Sequence, residues 1–206
     1  MRVVIFGASS RAGLYIAREA LEREHRVAVF TRRPGDFPLG HPKLDIIGGD
    51  AADAAAVAQG AFGARGIICA LGARPGKAAA AFRSKAMENI LLGMKEAGCR
   101  RVVWLSSACC LRRGVRPFFG REFGRILAGR ASSLREDERG PLRASGLDWT
   151  LAEAPPLREG AGPEPVRVHL DGPAGKYIYL ADLAAFLVEE LESGLYTGKP
   201  ISVFSA

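Results

Sequence analysis

Short runs of apolar, mostly β-branched residues alternate with helical stretches in the first half of the chain, and this alternation constrains the fold more than any other feature. Runs with almost no polar interruption are typical of strands that are buried on both faces. Such strands, separated by helices, form a parallel sheet that helices cover on either side. The runs lie at residues 2–6, 26–30, 44–47, 66–71 and 101–105. We therefore predict an α/β fold with a doubly wound, mainly parallel sheet.

Helical periodicity is clearest at residues 77–97. Phe82, Ala86, Ile90 and Met94 recur there at every fourth position, and Gly98 follows as a C-cap. A second helix is predicted at residues 12–24.

The carboxyl-terminal half of the chain is less regular. A proline- and glycine-rich loop is expected at residues 155–175, with a small strand at 166–170. Asp182 is the expected N-cap of the last helix. A strand at residues 201–204 then closes the sheet.

Length and composition limit the class of protein. The chain has 206 residues, of which 48% are hydrophobic and 25% charged, a balance that argues against disorder. We expect one domain spanning residues 1–206. The longest apolar runs fall far short of the roughly 20 residues that a membrane span needs, and the amino-terminal residues show no secretory cleavage site. A cytoplasmic protein without a membrane partner is the expectation.

The chain is basic, with 29 lysines and arginines against 22 acidic residues and a formal charge of +7. This charge attracts anions, which include nucleic acid, an acidic membrane surface and a phosphate-bearing small molecule. We rank nucleic acid last because no helix-turn-helix, RNA-recognition or zinc motif is present. No metal site is expected, since the four cysteines lack C-x-x-C spacing and the three histidines lie far from them.

The sequence G-A-S-S-R-A-G directly follows the first predicted strand and precedes a helix. This order of strand, turn and helix is the one that a dinucleotide-binding unit requires. Backbone N–H groups at such a turn bind a pyrophosphate, helped by the positive end of the helix dipole. A tight turn without a ligand is the alternative interpretation. The candidate cofactor-binding residues of the turn are Gly7, Ser9, Ser10, Arg11, Ala12 and Gly13.

Further motifs follow in order: T-R-R at 31–33, G-G-D at 48–50, A-L-G-A-R at 70–74, E-N-I-L-L-G-M-K-E-A-G at 88–98, L-S-S-A at 105–108 and S-G-L-D-W-T at 145–150. Together with the glycine turn, they make nearly the whole chain resemble the atypical short-chain dehydrogenase/reductases, whose fingerprint is G-A-T-G-x-x-G. The biliverdin-IXβ reductase and flavin reductase branch is the most similar. The resemblance implies a Rossmann-type fold, NADP as cofactor, and a substrate lying over the nicotinamide beside the L-S-S-A strand end. The substrate side would comprise about residues 106–145 and 153–180.

The same resemblance implies roles for individual residues. Asp50 and Ala51 would border the adenine, while Ala70, Leu71 and Gly72 would run beneath the ribose and diphosphate. Arg74 would reach a phosphate. The residues placed around the nicotinamide are Ser106, Ser107 and Pro155, with Ser107 as the candidate catalytic residue and Ser106 able to bond backbone instead.

Two arginines favour NADP over NAD on chemical grounds. An NAD site usually has an acidic residue after the second strand to bind the ribose 2′-hydroxyl. Here Arg32 and Arg33 follow Thr31 at that point, and guanidinium groups match the geometry of a 2′-phosphate. The alternative is a basic turn that faces water.

Two departures from the family pattern bear on function. Ser10 replaces the middle glycine of the fingerprint, and we expect altered pyrophosphate contacts, with its hydroxyl donating to phosphate. The Y-x-x-x-K pair of the superfamily is also missing, because Tyr15, Tyr177, Tyr179 and Tyr196 all lack a lysine four residues on. The segment A-P-P-L at 154–157 lacks the histidine that the favoured branch tends to carry there.

These observations favour an NADPH-dependent oxidoreductase that reduces a flat conjugated acceptor such as a flavin, a linear tetrapyrrole or a quinone-like molecule. Such acceptors take hydride without a strong protein acid, since the proton can come from solvent. Arg112, Arg113 and Arg116 could attract acidic arms of the acceptor. The alternative is a non-catalytic NADP-sensing protein of the NmrA-like type, or an epimerase-like relic. The protein would be a monomer or a small homo-oligomer.

Overall fold

The computed structural model describes residues 1–72, 77–107, 138–162, 165–170 and 175–205. Within these residues, the strands are β1 (Arg2–Phe6), β2 (Arg26–Thr31), β3 (Leu44–Gly48), β4 (Gly66–Cys69), β5 (Arg101–Ser107), β6 (Asp148–Ala154), β7 (Leu157–Arg158), β8 (Val166–His169), β9 (Ile178–Tyr179) and β10 (Lys199–Ser205). The helices are α1 (Arg11–Glu22), α2 (Ala54–Ala61), α3 (Lys77–Glu96), the helical residues 138–144 as α4, and α5 (Leu180–Ser193).

Eight of the described strands form one sheet, in the order β3-β2-β1-β4-β5-β6-β10-β8. Neighbouring strands run parallel except β8, which is antiparallel to β10. The first six strands follow the order 3-2-1-4-5-6 of a dinucleotide-binding fold. The predicted Rossmann-type α/β architecture is confirmed.

Helices cover both faces of the sheet. Helices α1 and α5 pack over one core, around Ile5, Ile16 and Leu187, and α2 and α3 pack over the other, around Phe6 and Ile90. Strand side chains alternate between these two cores, because successive residues of a strand point to opposite faces. The uninterrupted apolar runs in the sequence result from this double burial.

Helix ends show where local sequence signals hold and where they fail. Gly98 adopts a φ of +67° after α3, and the N–H of Cys99 reaches back to the carbonyl of Met94 at 2.9 Å, so the predicted C-cap is confirmed. The predicted N-cap is wrong. Asp182 lies inside the first turn of α5, which begins at Leu180, and its carboxylate instead accepts the N–H of Gly162 at 2.9 Å. The tertiary contact with the preceding loop takes the side chain that would have capped the helix.

The loop after β6 contains the predicted small strand. Strand β8 pairs with β10, and the short strands β7 and β9 pair with each other in parallel. The arginine-rich stretch around Arg112, Arg113 and Arg116 lies outside the described residues. Among the described residues, no helix combines the length and the hydrophobicity needed to cross a membrane.

Strand β3 forms one edge of the sheet and carries a charged side chain in its middle. The carboxylate of Asp45 accepts hydrogen bonds from Arg2 at 2.9 Å and from Arg26 at 3.3 Å. Both arginines lie at the starts of neighbouring strands, so the acidic side chain faces the sheet's own basic residues across the edge.

Candidate functional site

The strand order reverses at β1, which lies between β2 and β4. In open α/β sheets, ligands bind in the crevice outside the carboxyl ends of the strands at such a reversal. Gly7 follows β1 at this point, and Ala70, Leu71 and Gly72 follow β4. The structure therefore brings the glycine turn and the end of β4 together at one edge.

Gly7 and Gly13 allow contacts that no other residue would permit. Gly7 has a φ of +80°, and a Cβ atom there would lie 2.4 Å from the carbonyl oxygen of Ala70. A Cβ atom on Gly13 would lie 2.3 Å from the carbonyl oxygen of Gly7. Helix α1 thus packs directly on the turn, and the turn packs directly on the end of β4.

Ser10 is the N-cap of α1, and its hydroxyl is used within the protein. The oxygen accepts the N–H of Gly13 at 3.0 Å, while the hydroxyl donates to the carbonyl of Ala70 at 3.4 Å. The expectation that this hydroxyl donates to a phosphate does not match this geometry, because its one proton is directed at Ala70.

The first turn of α1 still presents free donors. The N–H of Ser10 bonds to Gly7 and that of Leu14 to Ser10, whereas the N–H groups of Arg11 and Ala12 have no partner among the described residues. Free N–H groups at a helix start are the anion-binding groups of dinucleotide folds. This turn therefore fits a pyrophosphate through its backbone.

The side chain of Arg11 points to the loop after β7. It pairs with Glu159 at 3.2 Å, and Tyr15 donates a hydrogen bond to the same carboxylate at 3.1 Å. Both partners of the ion pair are well exposed, with 69% and 60% of their side chains accessible. Water screens such a pair, so Arg11 can exchange Glu159 for another anion at little cost.

The end of β2 is joined to the glycine turn. The hydroxyls of Ser9 and Thr31 lie 2.8 Å apart, and Thr31 also accepts the N–H of Arg33 at 3.3 Å. The side chains of Arg32 and Arg33 are exposed beyond this junction.

The two arginines differ in their partners. The Nε of Arg33 lies 3.6 Å from a carboxylate oxygen of Asp36. Arg32 forms no ion pair among the described residues, and its guanidinium carbon lies 6.0 Å from the ring centre of Phe82 on α3. Arg32 is therefore the freer of the two to bind an anion.

A buried amide fixes the segment after β3. Asn89 of α3 is 1% exposed and donates to the carbonyl of Ala51 at 3.0 Å. Asp50 accepts the N–H of Ala52 at 2.9 Å and so tightens the same turn. Asn89 was not among the residues singled out from the sequence, although an amide on the apolar face of a helix is a usable signal.

The other half of the crevice lies at the ends of β5 and β6. Ser107 pairs with Ala154 in the sheet register, and Ser106 pairs with Glu153. Ser106 is 8% exposed, and Pro155 is also buried just beyond β6. Arg74 lies outside the described residues, so its position relative to this edge is not part of the site.

Charged side chains are buried beneath this half. Glu153 is 3% exposed and forms an ion pair with Arg139 of α4 at 2.8 Å. Glu138 neighbours this pair, and burial raises the pKa of its carboxyl group, although hydrogen bonds from Ser106 and Trp104 act in the opposite direction. Sequence reasoning missed these residues. An acidic residue inside the apolar strand T-L-A-E-A was the available signal for Glu153.

Within the part of the chain that the structure describes, histidine, cysteine and acidic side chains form no group of three or more suited to a metal ion. The crevice has instead a backbone anion site, a free guanidinium and a buried polar layer. This combination suits an organic anion such as a dinucleotide.

Comparison with known proteins agrees with this geometry. The model of a family described as NAD(P)H-binding matches residues 7–194. The match starts at the glycine turn and extends to the end of α5.

Solved structures show the same fold at low sequence identity. The oxidoreductase ylbE from Lactococcus lactis has a TM-score of 0.80 and 17% identity, with 100% of this chain and 91% of that chain covered. A wide-type short-chain dehydrogenase/reductase from Veillonella parvula, solved in complex with NADP, has a TM-score of 0.77 and 16% identity, with 99% and 94% covered. ChuY, an anaerobilin reductase from Escherichia coli O157:H7, has a TM-score of 0.75 and 20% identity, with 99% and 97% covered.

Proposed function

The chain belongs to the NAD(P)H-binding family, and from that membership we propose that it is an NADPH-dependent reductase that transfers hydride to a flat conjugated acceptor. A flavin, a linear tetrapyrrole or a quinone-like molecule is the acceptor class. The observation that carries the proposal is the crevice itself, where the glycine turn, the free N–H groups of α1 and the unpaired Arg32 line the edge at which the strand order reverses.

In this proposal, the nucleotide side holds NADPH mainly through backbone groups. The N–H groups of Arg11 and Ala12 bind the pyrophosphate at the start of α1. Arg32 pairs with the 2′-phosphate, and Arg33 assists once Asp36 is displaced. Ser9 takes part by holding the turn against Thr31. These contacts would make NADPH the preferred nucleotide.

Other residues position the rest of the cofactor. Asp50 and Ala51 border the adenine, and Asn89 keeps that turn in place. Ala70, Leu71 and Gly72 lie beneath the ribose and diphosphate, with Arg74 as a further phosphate contact.

The acceptor side would be formed by about residues 106–145 and 153–180 within a single domain. Bound NADPH supplies a hydride from C4 of its nicotinamide. Ser107 and Pro155 orient the ring from the ends of β5 and β6, and Leu71 closes the site from β4. The protein's role is to hold the two flat molecules in contact and to keep water away from them.

The choice of a conjugated acceptor follows from the missing tyrosine and lysine pair. Reduction of a simple ketone builds negative charge on one oxygen and calls for a positioned acid. A conjugated acceptor spreads that charge over a ring system. The fold relative from Escherichia coli O157:H7 is named as a reductase of a bilin, which supports this acceptor class.

Two measurements test the proposal. NADPH binding is measured by protein fluorescence, and turnover is measured as loss of NADPH absorbance with riboflavin phosphate or a quinoid dye as acceptor. We expect modest turnover, negligible activity on simple alcohols and ketones, and only a mild loss of rate in Ser107→Ala. Tight NADPH binding without turnover of any conjugated acceptor would instead indicate a nucleotide-sensing protein.

A further inference from the structure

A carboxylate with an unsatisfied oxygen lies beneath the acceptor end of β5. Glu138 accepts hydrogen bonds from the side chains of Ser106 and Trp104, both on β5. Its Oε2 atom is shielded from solvent and has no hydrogen-bond partner among the described residues. A buried carboxylate with a free oxygen is costly when it is ionised. The same oxygen is well suited to carry a proton.

The groups packed around Glu138 come from four elements. Arg83 on α3 favours the ionised form, whereas Glu153 on β6 opposes it. Arg139, the next residue on α4, is engaged by Glu153 at 2.8 Å. The buried thiol of Cys69 on β4 is near enough for its own pKa to be affected by Glu138. Burial has the largest effect, and it raises the pKa of Glu138 above the ordinary 4.5.

We propose that Glu138 is the proton-holding residue of the acceptor site and that it delivers its proton through the hydroxyl of Ser106. This inference rests on the proposed reductase function and adds to it the source of the proton. It replaces the expectation, drawn from sequence, that solvent protonates the acceptor directly.

The step balances in atoms and charge. The acceptor gains a hydride, and the Ser106 O–H bond breaks as its proton bonds to the acceptor. The proton on Glu138 moves to the Ser106 oxygen and restores the hydroxyl. The Glu138 carboxylate then takes a proton from water. Glu138 acts through Ser106, so it is a positioning residue and not one that touches the acceptor.

Trp104 offers a readout that needs neither cofactor nor turnover. The chain has two tryptophans, Trp104 and Trp149, so a Trp149→Phe variant isolates the emission of the one that bonds to Glu138. We expect this emission to titrate with a midpoint clearly above the ordinary glutamate value, and Glu138→Gln to abolish the step. A step that persists in Glu138→Gln, or its absence between about pH 5 and 9, would overturn the assignment. If Trp149→Phe does not fold, the same difference is measured between the wild type and Glu138→Gln.

Stability gives a second readout with a definite sign. The folded state holds a proton that the unfolded chain releases above about pH 4.5, so the free energy of unfolding falls as pH rises through the folded pKa. Glu138→Gln removes this loss. It should therefore unfold at a higher temperature than the wild type on the alkaline side, and this difference should vanish near pH 4. A variant that is less stable at every pH would indicate a structural role only.

Kinetics then test proton delivery. With NADPH and riboflavin phosphate, we expect kcat of the wild type to fall as Glu138 ionises, and Glu138→Gln and Ser106→Ala to lower kcat about 100-fold with unchanged NADPH affinity. Glu138→Asp should restore part of the rate. Glu96→Gln, at an exposed acid far along α3, is the matched control and should behave as the wild type.

The outcomes separate the two proposals. If the wild type reduces no conjugated acceptor, the reductase function and the proton path both fail. If the wild type is active while Glu138→Gln keeps its rate and pH profile, only the proton path fails.

Discussion

The two halves of the crevice are built in different ways. The nucleotide half uses backbone groups from one short stretch, residues 7–14, and two glycines allow its close packing. The acceptor half uses buried charged side chains that β5, β6 and α4 bring together from distant parts of the chain. Backbone recognition depends on local geometry and side-chain recognition on tertiary packing, so substitutions in the two halves should have different consequences.

The largest expected effect is loss of nucleotide binding in Gly13→Val. The new side chain would start 2.3 Å from the carbonyl oxygen of Gly7, which forces α1 away from the turn. NADPH affinity should fall by about 100-fold or more, equivalent to about 2.7 kcal/mol, as measured by fluorescence titration. Gly72→Ala is the control, because a Cβ atom there meets nothing within 4 Å. A folded Gly13→Val protein that binds NADPH normally would remove the pyrophosphate assignment.

The acceptor half should respond in stability and not in nucleotide binding. Arg139→Met leaves Glu153, which is 3% exposed, without its ion-pair partner. Because Arg139 itself is partly accessible, we expect a loss of about 2 kcal/mol in the free energy of unfolding, followed by thermal or denaturant unfolding. The exposed neighbour Arg143→Met should change stability little. Equal stability of the two variants would mean that the ion pair contributes nothing.

The preference for NADPH is the next effect in size. Wild-type protein should bind NADPH at least about tenfold more tightly than NADH, a difference of about 1.4 kcal/mol. Arg32→Ala/Arg33→Ala should remove this preference, as shown by titrating both nucleotides. Arg18→Ala/Arg65→Ala removes the same charge from other exposed positions and should keep it. Equal loss in both double variants would point to net charge and not to a 2′-phosphate site.

The smallest effect is expected at Ser10. Ser10→Ala removes the cap on the N–H of Gly13 and should cost about 1 kcal/mol of stability, whereas Ser10→Gly should cost a few tenths. Because the hydroxyl is directed at Ala70, NADPH affinity should stay the same or improve in Ser10→Gly. A large loss of affinity in that variant would show that the hydroxyl contacts phosphate after all.

The same contrast explains what the sequence could predict. The parallel strands and the turn at Gly7 and Gly13 were predictable, because runs of β-branched residues and turn glycines act over a few residues. Gly98 was predictable as a cap for the same reason. Asp182 failed because a loop 20 residues away takes its carboxylate. A local capping rule carries no information about that contact.

The polar residues beneath the crevice needed the folded structure. Asn89 is positioned by a carbonyl 38 residues earlier in the chain. Glu153 and Glu138 gain their meaning only when β6 and α4 pack beside β5. The arginine of the ion pair, Arg139, lies in a basic stretch where a solvent-facing charge is the default interpretation. Spacing in sequence does not reveal which of many charges becomes buried.

The edge strand β3 has a consequence for the behaviour of many copies in one solution. An exposed edge offers unpaired backbone groups to any passing strand, and natural sheets guard against this with charges that point inward. Asp45, bound by Arg2 and Arg26, is such a charge. A strand from a second molecule would have to strip water and arginine from this carboxylate before it could pair. The ion cluster therefore protects the sheet from edge-to-edge polymerisation, at the margin farthest from the acceptor.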